Sequence, residues 1–284
     1  MVLAEKSSVK ENQQYTVFQS GHVESEGLQI YYQRQGKGPT MVLVRGWGTD
    51  TQSNWVDSGW IALLAQYRSV LSIDIRGHGK SDKPLALAPY SYPSLSQDVL
   101  SVMDALAIEK ADFIGFSMGS FIGAYLLGHH PKRFNSMILG GIGDETEASA
   151  AQGVAIAAAL RAPNLESIDS DAGKRIRLFI ESNPNNNLPS LAFSALRIWP
   201  DGYPIKIAGP NIATAQFPVL IVNGEHDYPY VNSADRLVAA LANARQLEIP
   251  DADHLSTVFD ERFKKAAVDF LTTPASDQLQ LRTI

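Results

Sequence analysis

The sequence predicts an α/β fold: a mostly parallel central sheet with helices on both faces, interrupted once by a helical insertion. Three observations predict it. Short continuous apolar runs such as Met41 to Val44, Ala111 to Phe116 and Val219 to Val222 have the composition of strands buried on both faces. Helical patterns alternate with those runs, which is the rhythm of a parallel sheet built from crossover units. Between Glu145 and about Ile212 the rhythm stops, and helical pieces follow one another without strand signals.

In chain order, residues 1–20 read as an N-terminal extension. Its first part is polar, carries Glu5, Lys6, Lys10 and Glu11, and lacks the apolar stretch of a secretory signal. Val23 to Gln33 alternates imperfectly around Glu26-Gly27, which predicts a hairpin ended by Gly36-Lys37-Gly38-Pro39. The strand Met41 to Val44 is broken by Gly46-Trp47-Gly48, and Trp55 to Tyr67 reads as an amphipathic helix. Ser69 to Ile75 is a buried strand closed by Arg76-Gly77-His78-Gly79. Leu95, Val99, Val102, Met103 and Leu106 recur at helical spacing within Ser94 to Leu106. The strand Ala111 to Phe116 runs into an apolar helix, Ser117 to Leu127, and Ser136 to Leu139 follows as a strand ending in Gly140-Gly141.

The insertion offers helices at Ala151 to Arg161, Gly173 to Ser182 and Pro189 to Trp199, the last two separated by the breaker Asn183-Pro184-Asn185-Asn186-Asn187. Strand Val219 to Val222, helix Ala234 to Leu241, strand Gln246 to Ile249 and helix Glu261 to Leu271 then restore the rhythm. The expected organisation is a core of residues 21–144 and 213–272, a helical cap of 145–212 above the strand ends, and a tail of 273–284.

A chain of 284 residues can bury the core of one such domain. The net charge of −6, from 24 basic and 30 acidic residues, gives no electrostatic footprint for nucleic acid or an anionic membrane surface, so the expected partner is a small polar or neutral molecule. With no cysteine, disulfides, thiol nucleophiles and thiolate zinc sites are excluded. No run approaches the ~20 apolar residues of a membrane span, and the expectation is a soluble, cytoplasmic protein. Neither a repeat nor a coiled-coil heptad signals an oligomeric state.

The chemistry-bearing segment is Gly115-Phe116-Ser117-Met118-Gly119, set between a strand and a helix. In that context Ser117 sits on a strained turn that lifts its hydroxyl clear of the sheet, and Gly115 and Gly119 give room where strand and helix nearly touch. Met118, at the helix start, has a free NH able to hold an oxyanion. A serine nucleophile needs a base and an acid to orient it. Asp227 follows one late strand and His254 the next, so the chain order is Ser117, Asp227, His254. Asp144, just beyond Ser136 to Leu139, is an alternative acid.

These segments resemble the α/β-hydrolase superfamily, in particular its capped, serine esterase-like members, over residues 22 to 144 and 213 to 272. Gly46-Trp47-Gly48 is similar to the loop that supplies the second oxyanion NH, here from Trp47. Asp74-Ile75-Arg76-Gly77-His78-Gly79-Lys80-Ser81 is similar to the segment common after the fourth strand. The resemblance implies a serine hydrolase with a catalytic triad, needing no cofactor and cleaving carboxylic esters of small to medium acyl chains through an acyl-enzyme; no pairing of histidines with carboxylates has metal-ligand spacing, so no metal is expected. Dehalogenases and epoxide hydrolases of this fold use aspartate at the elbow. A C–C (diketone) hydrolase, perhydrolase, thioesterase, lactonase or low-turnover receptor stays compatible.

Two positions depart from the family. Arg45 stands where relatives carry histidine; it could brace the loop or add positive potential near the site. Ser120 stands where many have glycine. In the cap, Phe179, Leu191, Phe193, Ile198 and Trp199 could line an acyl pocket or only hold the cap to the core. Lys174, Arg175 and Arg177 could meet an anionic substrate or form a wet face.

Overall fold

The computed structural model describes residues 18–144, 150–201 and 203–273. Most of the expected extension and nearly all of the expected tail lie outside them. β1 (Phe18–Ser25) and β2 (Leu28–Gly36) form the expected antiparallel hairpin, whose Glu26-Gly27 corner has φ of 50° and 81°. Both corner residues are left-handed, as a tight two-residue hairpin with native twist requires. β1 begins inside the segment read as an extension.

β3 (Thr40–Val44) follows, then a single wide turn, Gln52–Val56, and the short helix α1 (Trp60–Leu64). The continuous helix expected over Trp55 to Tyr67 is therefore broken, with Gly59 at φ 81°. The reason lies in two indoles. At 3.6 residues per turn, positions 55 and 60 would point about 140° apart on one helix. Both are fully buried in one cluster, edge-on at 5.9 Å, and Trp60 donates its indole NH to the Val258 carbonyl at 2.6 Å.

β4 (Ser69–Asp74), α2 (Tyr92–Ala105), β5 (Ala111–Phe116), α3 (Met118–His129) and β6 (Phe134–Gly140) complete the first half. Between β6 and β7 lie α4 (Ala150–Arg161), α5 (Asp171–Glu181), α6 (Leu188–Ile198) and α7 (Pro204–Ala208). Then come β7 (Val219–Gly224), α8 (Ala234–Ala240), β8 (Ala244–Ile249) and α9 (Glu261–Thr272). The eight strands form one sheet in the order β1-β2-β4-β3-β5-β6-β7-β8, antiparallel at the β1–β2 and β2–β4 pairs and parallel elsewhere.

The sheet separates two apolar cores. Phe113, Ile122, Leu126 and Met137 belong to one; Leu43, Ile114, Phe116, Ile138 and Phe263 belong to the other. Every residue of β4, β5 and β7 is buried, which explains why their sequences are mostly apolar and do not alternate. A third cluster, with Ile156, Leu160, Ile180 and Leu191, holds α4, α5 and α6 together, and Trp47 of the core packs against it. α7 departs from them and packs on α3 so closely that a Cβ at Gly128 would lie 2.0 Å from the Ala208 carbonyl oxygen. The segment read as a cap thus ends on a core helix. No helix among the described residues is long and apolar enough to cross a membrane.

The Asp74-to-Ser81 segment is a buried charged knot. Arg76 grips Asp98 from Nη2 at 2.6 Å and Nε at 3.0 Å, with both side chains at most 1% exposed. Asp74 accepts from the NH groups of Thr51 and Lys80, each at 2.9 Å, fixing the loop after β3 to the loop after β4.

Candidate active site

Ser117 has φ 51° and ψ −121°, between the end of β5 and the start of α3. Few residues with a side chain adopt such a backbone, and its surroundings over-determine it. A Cβ at Gly119 would lie 2.0 Å from the Val44 carbonyl oxygen, and one at Gly115 would lie 2.5 Å from the Gly119 oxygen. The Gly140 carbonyl accepts from Ser117 NH at 2.8 Å and from the Ser120 hydroxyl at 2.7 Å. Ser120, a departure from the family pattern, therefore ties the elbow to the end of β6.

The structure brings the three polar residues together. His254 Nε2 lies 3.0 Å from Ser117 Oγ, and its Nδ1 lies 2.8 Å from Asp227 Oδ1. Asp227 is fully buried and the histidine part-exposed. The imidazole sits between Phe116 and Tyr230, each ring 5.4 Å away centre to centre. Asp144, the alternative acid, instead accepts from the Ile205 NH at 3.2 Å and so anchors the start of α7. Asn223, which the sequence did not single out, clamps the strand ends. Its side chain accepts from Ile142 NH at 2.9 Å and donates to Ile142 carbonyl at 3.0 Å.

Gly46 lies against Ser117: a Cβ there would stand 3.4 Å from Ser117 Cβ. The Gly46-Trp47-Gly48 loop thus borders the same space as Met118, whose NH, as the first of α3, has no partner within the helix. The cap clamps this loop. Ile180 packs where a Cβ on Gly48 would be 2.2 Å away, Asn186 donates to the Gly48 carbonyl at 2.8 Å, and Asn185 donates to Asp50 at 2.9 Å. The asparagine run that the sequence marks only as a breaker is the latch between the cap and the Gly46-Trp47-Gly48 loop.

Above Ser117 opens a pocket of ≈ 430 Å³ including its mouth. Trp47 and Trp199, edge-on at 5.1 Å, and Ile198 form one wall; Phe121, Tyr92 and Tyr230 form another, with Gln152 from α4 completing the lining. Trp199 therefore lines the site as the sequence suggested, but Arg45 and Phe193 do not. Phe193 lies beneath the Arg161 guanidinium, 5.0 Å away, on the cap. Arg45 is fully buried behind the loop, its Nε 3.6 Å from Asp74, and its nitrogens make no hydrogen bond among the described residues. Burial lowers its pKa, while Asp74 and Asp50 oppose that shift. Arg177 is neither a wet residue nor a substrate contact: its Nη1 closes α4 by donating to the carbonyls of Ala159, Leu160 and Ala162.

Glu225, His226 and Asp251 each bring one donor atom to within 4.8 Å of the others, the group among the described residues able to hold a metal. The sequence reading foresaw no metal group there, because these side chains meet only through the pairing of two loops. Glu225 is engaged with the Asp251 NH at 2.9 Å.

This fold and this site define an α/β hydrolase, and the comparisons agree: the model of the alpha/beta hydrolase fold family matches residues 39–161. The chain belongs to that superfamily. It is 30% identical to "3-oxoadipate enol-lactonase 2" of Acinetobacter baylyi over 79% of this chain and 85% of that one. Among solved structures it is similar to the enol-lactonase of Burkholderia xenovorans LB400, with TM-score 0.74 and 28% identity over 89% of this chain and all of that one. It is also similar to Est816, described as an N-acyl homoserine lactone degrading enzyme, with TM-score 0.67 and 27% identity over 88% of this chain and 99% of that one.

Proposed function

We propose that this chain is a serine hydrolase that cleaves carboxylic esters, cyclic esters included, through an acyl-enzyme on Ser117. The observation that carries the reading is the continuous contact from Ser117 Oγ through His254 to buried Asp227 at the floor of an apolar pocket. Asp227 holds the imidazole with Nδ1 protonated, leaving Nε2 to take the hydroxyl proton as Oγ attacks the carbonyl carbon. The oxyanion forms beside the NH groups of Met118 and Trp47, where one donor is worth roughly 10² to 10³ in turnover. The leaving alkoxide takes the proton from Nε2; in a lactone it stays attached to the acyl group. Water then repeats the cycle, releasing the acid and restoring Ser117.

Lactone cleavage fits the names of the similar enzymes and needs no change in this chemistry. The aromatic and aliphatic side chains that line the pocket suit an acyl group of small to medium size. The test is hydrolysis of p-nitrophenyl esters and of five- and six-membered lactones by purified protein and by Ser117→Ala. The variant is expected to fold normally and lose ester and lactone cleavage alike. Activity retained in the pure variant refutes the assignment.

A further inference from the structure

Tyr92 brings to the Ser117 pocket a hydroxyl that no side chain or carbonyl of the described residues engages. Its ring opens α2, is only 6% exposed, and is wedged against Phe121 at 6.3 Å. Its Oη makes no hydrogen bond with any described residue, although the side chain lines the pocket. Its ring is buried while its Oη is not among the sealed, unpartnered polar atoms, so the hydroxyl opens onto the pocket, where a bound molecule can accept from it; a phenylalanine would fill the same wall without offering that donor. Burial pushes the phenol's pKa up, Tyr230 and Asp201 add to the shift and Arg197 opposes it, so the group stays an O–H donor throughout the neutral range.

The charges around the pocket say what that donor meets. Among the described residues no basic side chain lines it. Arg197, next to Ile198, is paired with Asp201, and Arg45 is sealed behind the loop facing Asp74. A carboxylate brought into this pocket would lose its water and find no cation. An uncharged oxygen would lose little and gain one hydrogen bond.

We propose that Tyr92 is a specificity-determining residue whose hydroxyl donates to an uncharged acceptor on the substrate, a ketone, ether or amide oxygen remote from the scissile carbonyl. The substrate class is then an uncharged, oxygenated ester or lactone rather than a carboxylate-bearing one. This rests on the proposed hydrolysis at Ser117.

The experiment uses matched p-nitrophenyl esters: 4-oxopentanoate against pentanoate, 5-oxohexanoate against hexanoate, and the anionic glutarate half-ester. The full-length protein is compared with Tyr92→Phe and Ser117→Ala. In the wild-type protein at least one oxo ester is expected to exceed its parent roughly 3- to 10-fold in kcat/KM, mostly through KM, as one neutral hydrogen bond supplies. Tyr92→Phe is expected to bring that ratio to about one, with an unfolding midpoint no lower than wild type. The glutarate half-ester is expected to be the poorest substrate of the set.

Ser117-dependent hydrolysis with a ratio that Tyr92→Phe does not move, or with the half-ester preferred, overturns the role of Tyr92 and leaves ester cleavage standing. An oxo preference lost through kcat together with a lowered midpoint also overturns it, since that marks a structural role. Absence of Ser117-dependent hydrolysis from every ester overturns the parent reading, and this inference with it.

Discussion

At the scale of single residues, the site is a set of positions that accept one side chain each for steric reasons. Gly119 is there because the Val44 carbonyl occupies the space a methyl would need, and Gly115 because the Gly119 carbonyl does. Ser120 earns its difference from glycine by a hydroxyl hydrogen bond to Gly140. Asp227 is fully buried 2.8 Å from His254 Nδ1, and in the proposed mechanism its part is to fix one tautomer of the ring. Asp227→Asn should therefore keep the fold and lower kcat on the order of 10⁴-fold. Steady-state kinetics beside an unfolding curve check this; a loss below tenfold would mean that Asp227 is not the orienting acid. The three polar residues were legible from motif and chain order. Arg45 was not, because a sequence gives a residue's neighbours along the chain but not whether its side chain turns toward the pocket or away from it.

At the scale of elements, the cap is held to the core by Ile180 and Trp199 and also through residues that carry no apolar signal. Asn185 and Asn186 reach Asp50 and Gly48, and Tyr90 meets Ser190 across the same boundary at 2.5 Å. Burial works to raise the Asp50 pKa, but hydrogen bonds from Asn185 and Ser53 win and hold it at about 2, against 3.8 for a free side chain. Because the folded value is the lower one, the ionised carboxylate stabilises the fold above pH ~4, and that contribution is lost as pH falls toward 2. The unfolding free energy of Asp50→Asn, compared with wild type across pH 2 to 6, should show its largest deficit above pH ~4 and a shrinking deficit below. A deficit independent of pH would show that the charge does not hold the latch. The strands and the first three helices of the insertion were legible within a few residues because periodicity is local, whereas the five-residue α7 was too short to show one. The helix expected through Trp55 was not, since its interruption answers to Val258 and Phe263, far along the chain.

At the scale of the molecule, the site stands on the carboxyl edge of the sheet and depends on the packing beneath it. Phe263 of α9 is fully buried, lies 4.9 Å from Trp60 ring to ring, and supports Gly140, where a Cβ would meet its ring at 3.2 Å. Just beyond, Gly141 lets the His254 ring approach to where a Cβ would be 2.9 Å away. Phe263→Ala should cost about 3–5 kcal/mol of stability, read from the denaturation midpoint at unchanged slope. A cost below 1 kcal/mol would mean that the second core carries little of the fold's stability.

By itself the sequence determined the fold class and singled out Ser117, His254 and two candidate acids, Asp227 and Asp144, in chain order. Those follow from local pattern, since apolar runs, glycine spacing and the turn after each strand are all written along the chain. Only the tertiary structure decided which acid meets the histidine, that Arg45 faces inward, that an asparagine run latches the cap, and that a phenol without a partner faces the pocket. Each of these depends on which surfaces meet when distant segments pack. That meeting is set by the shape of the whole core, which no local pattern encodes.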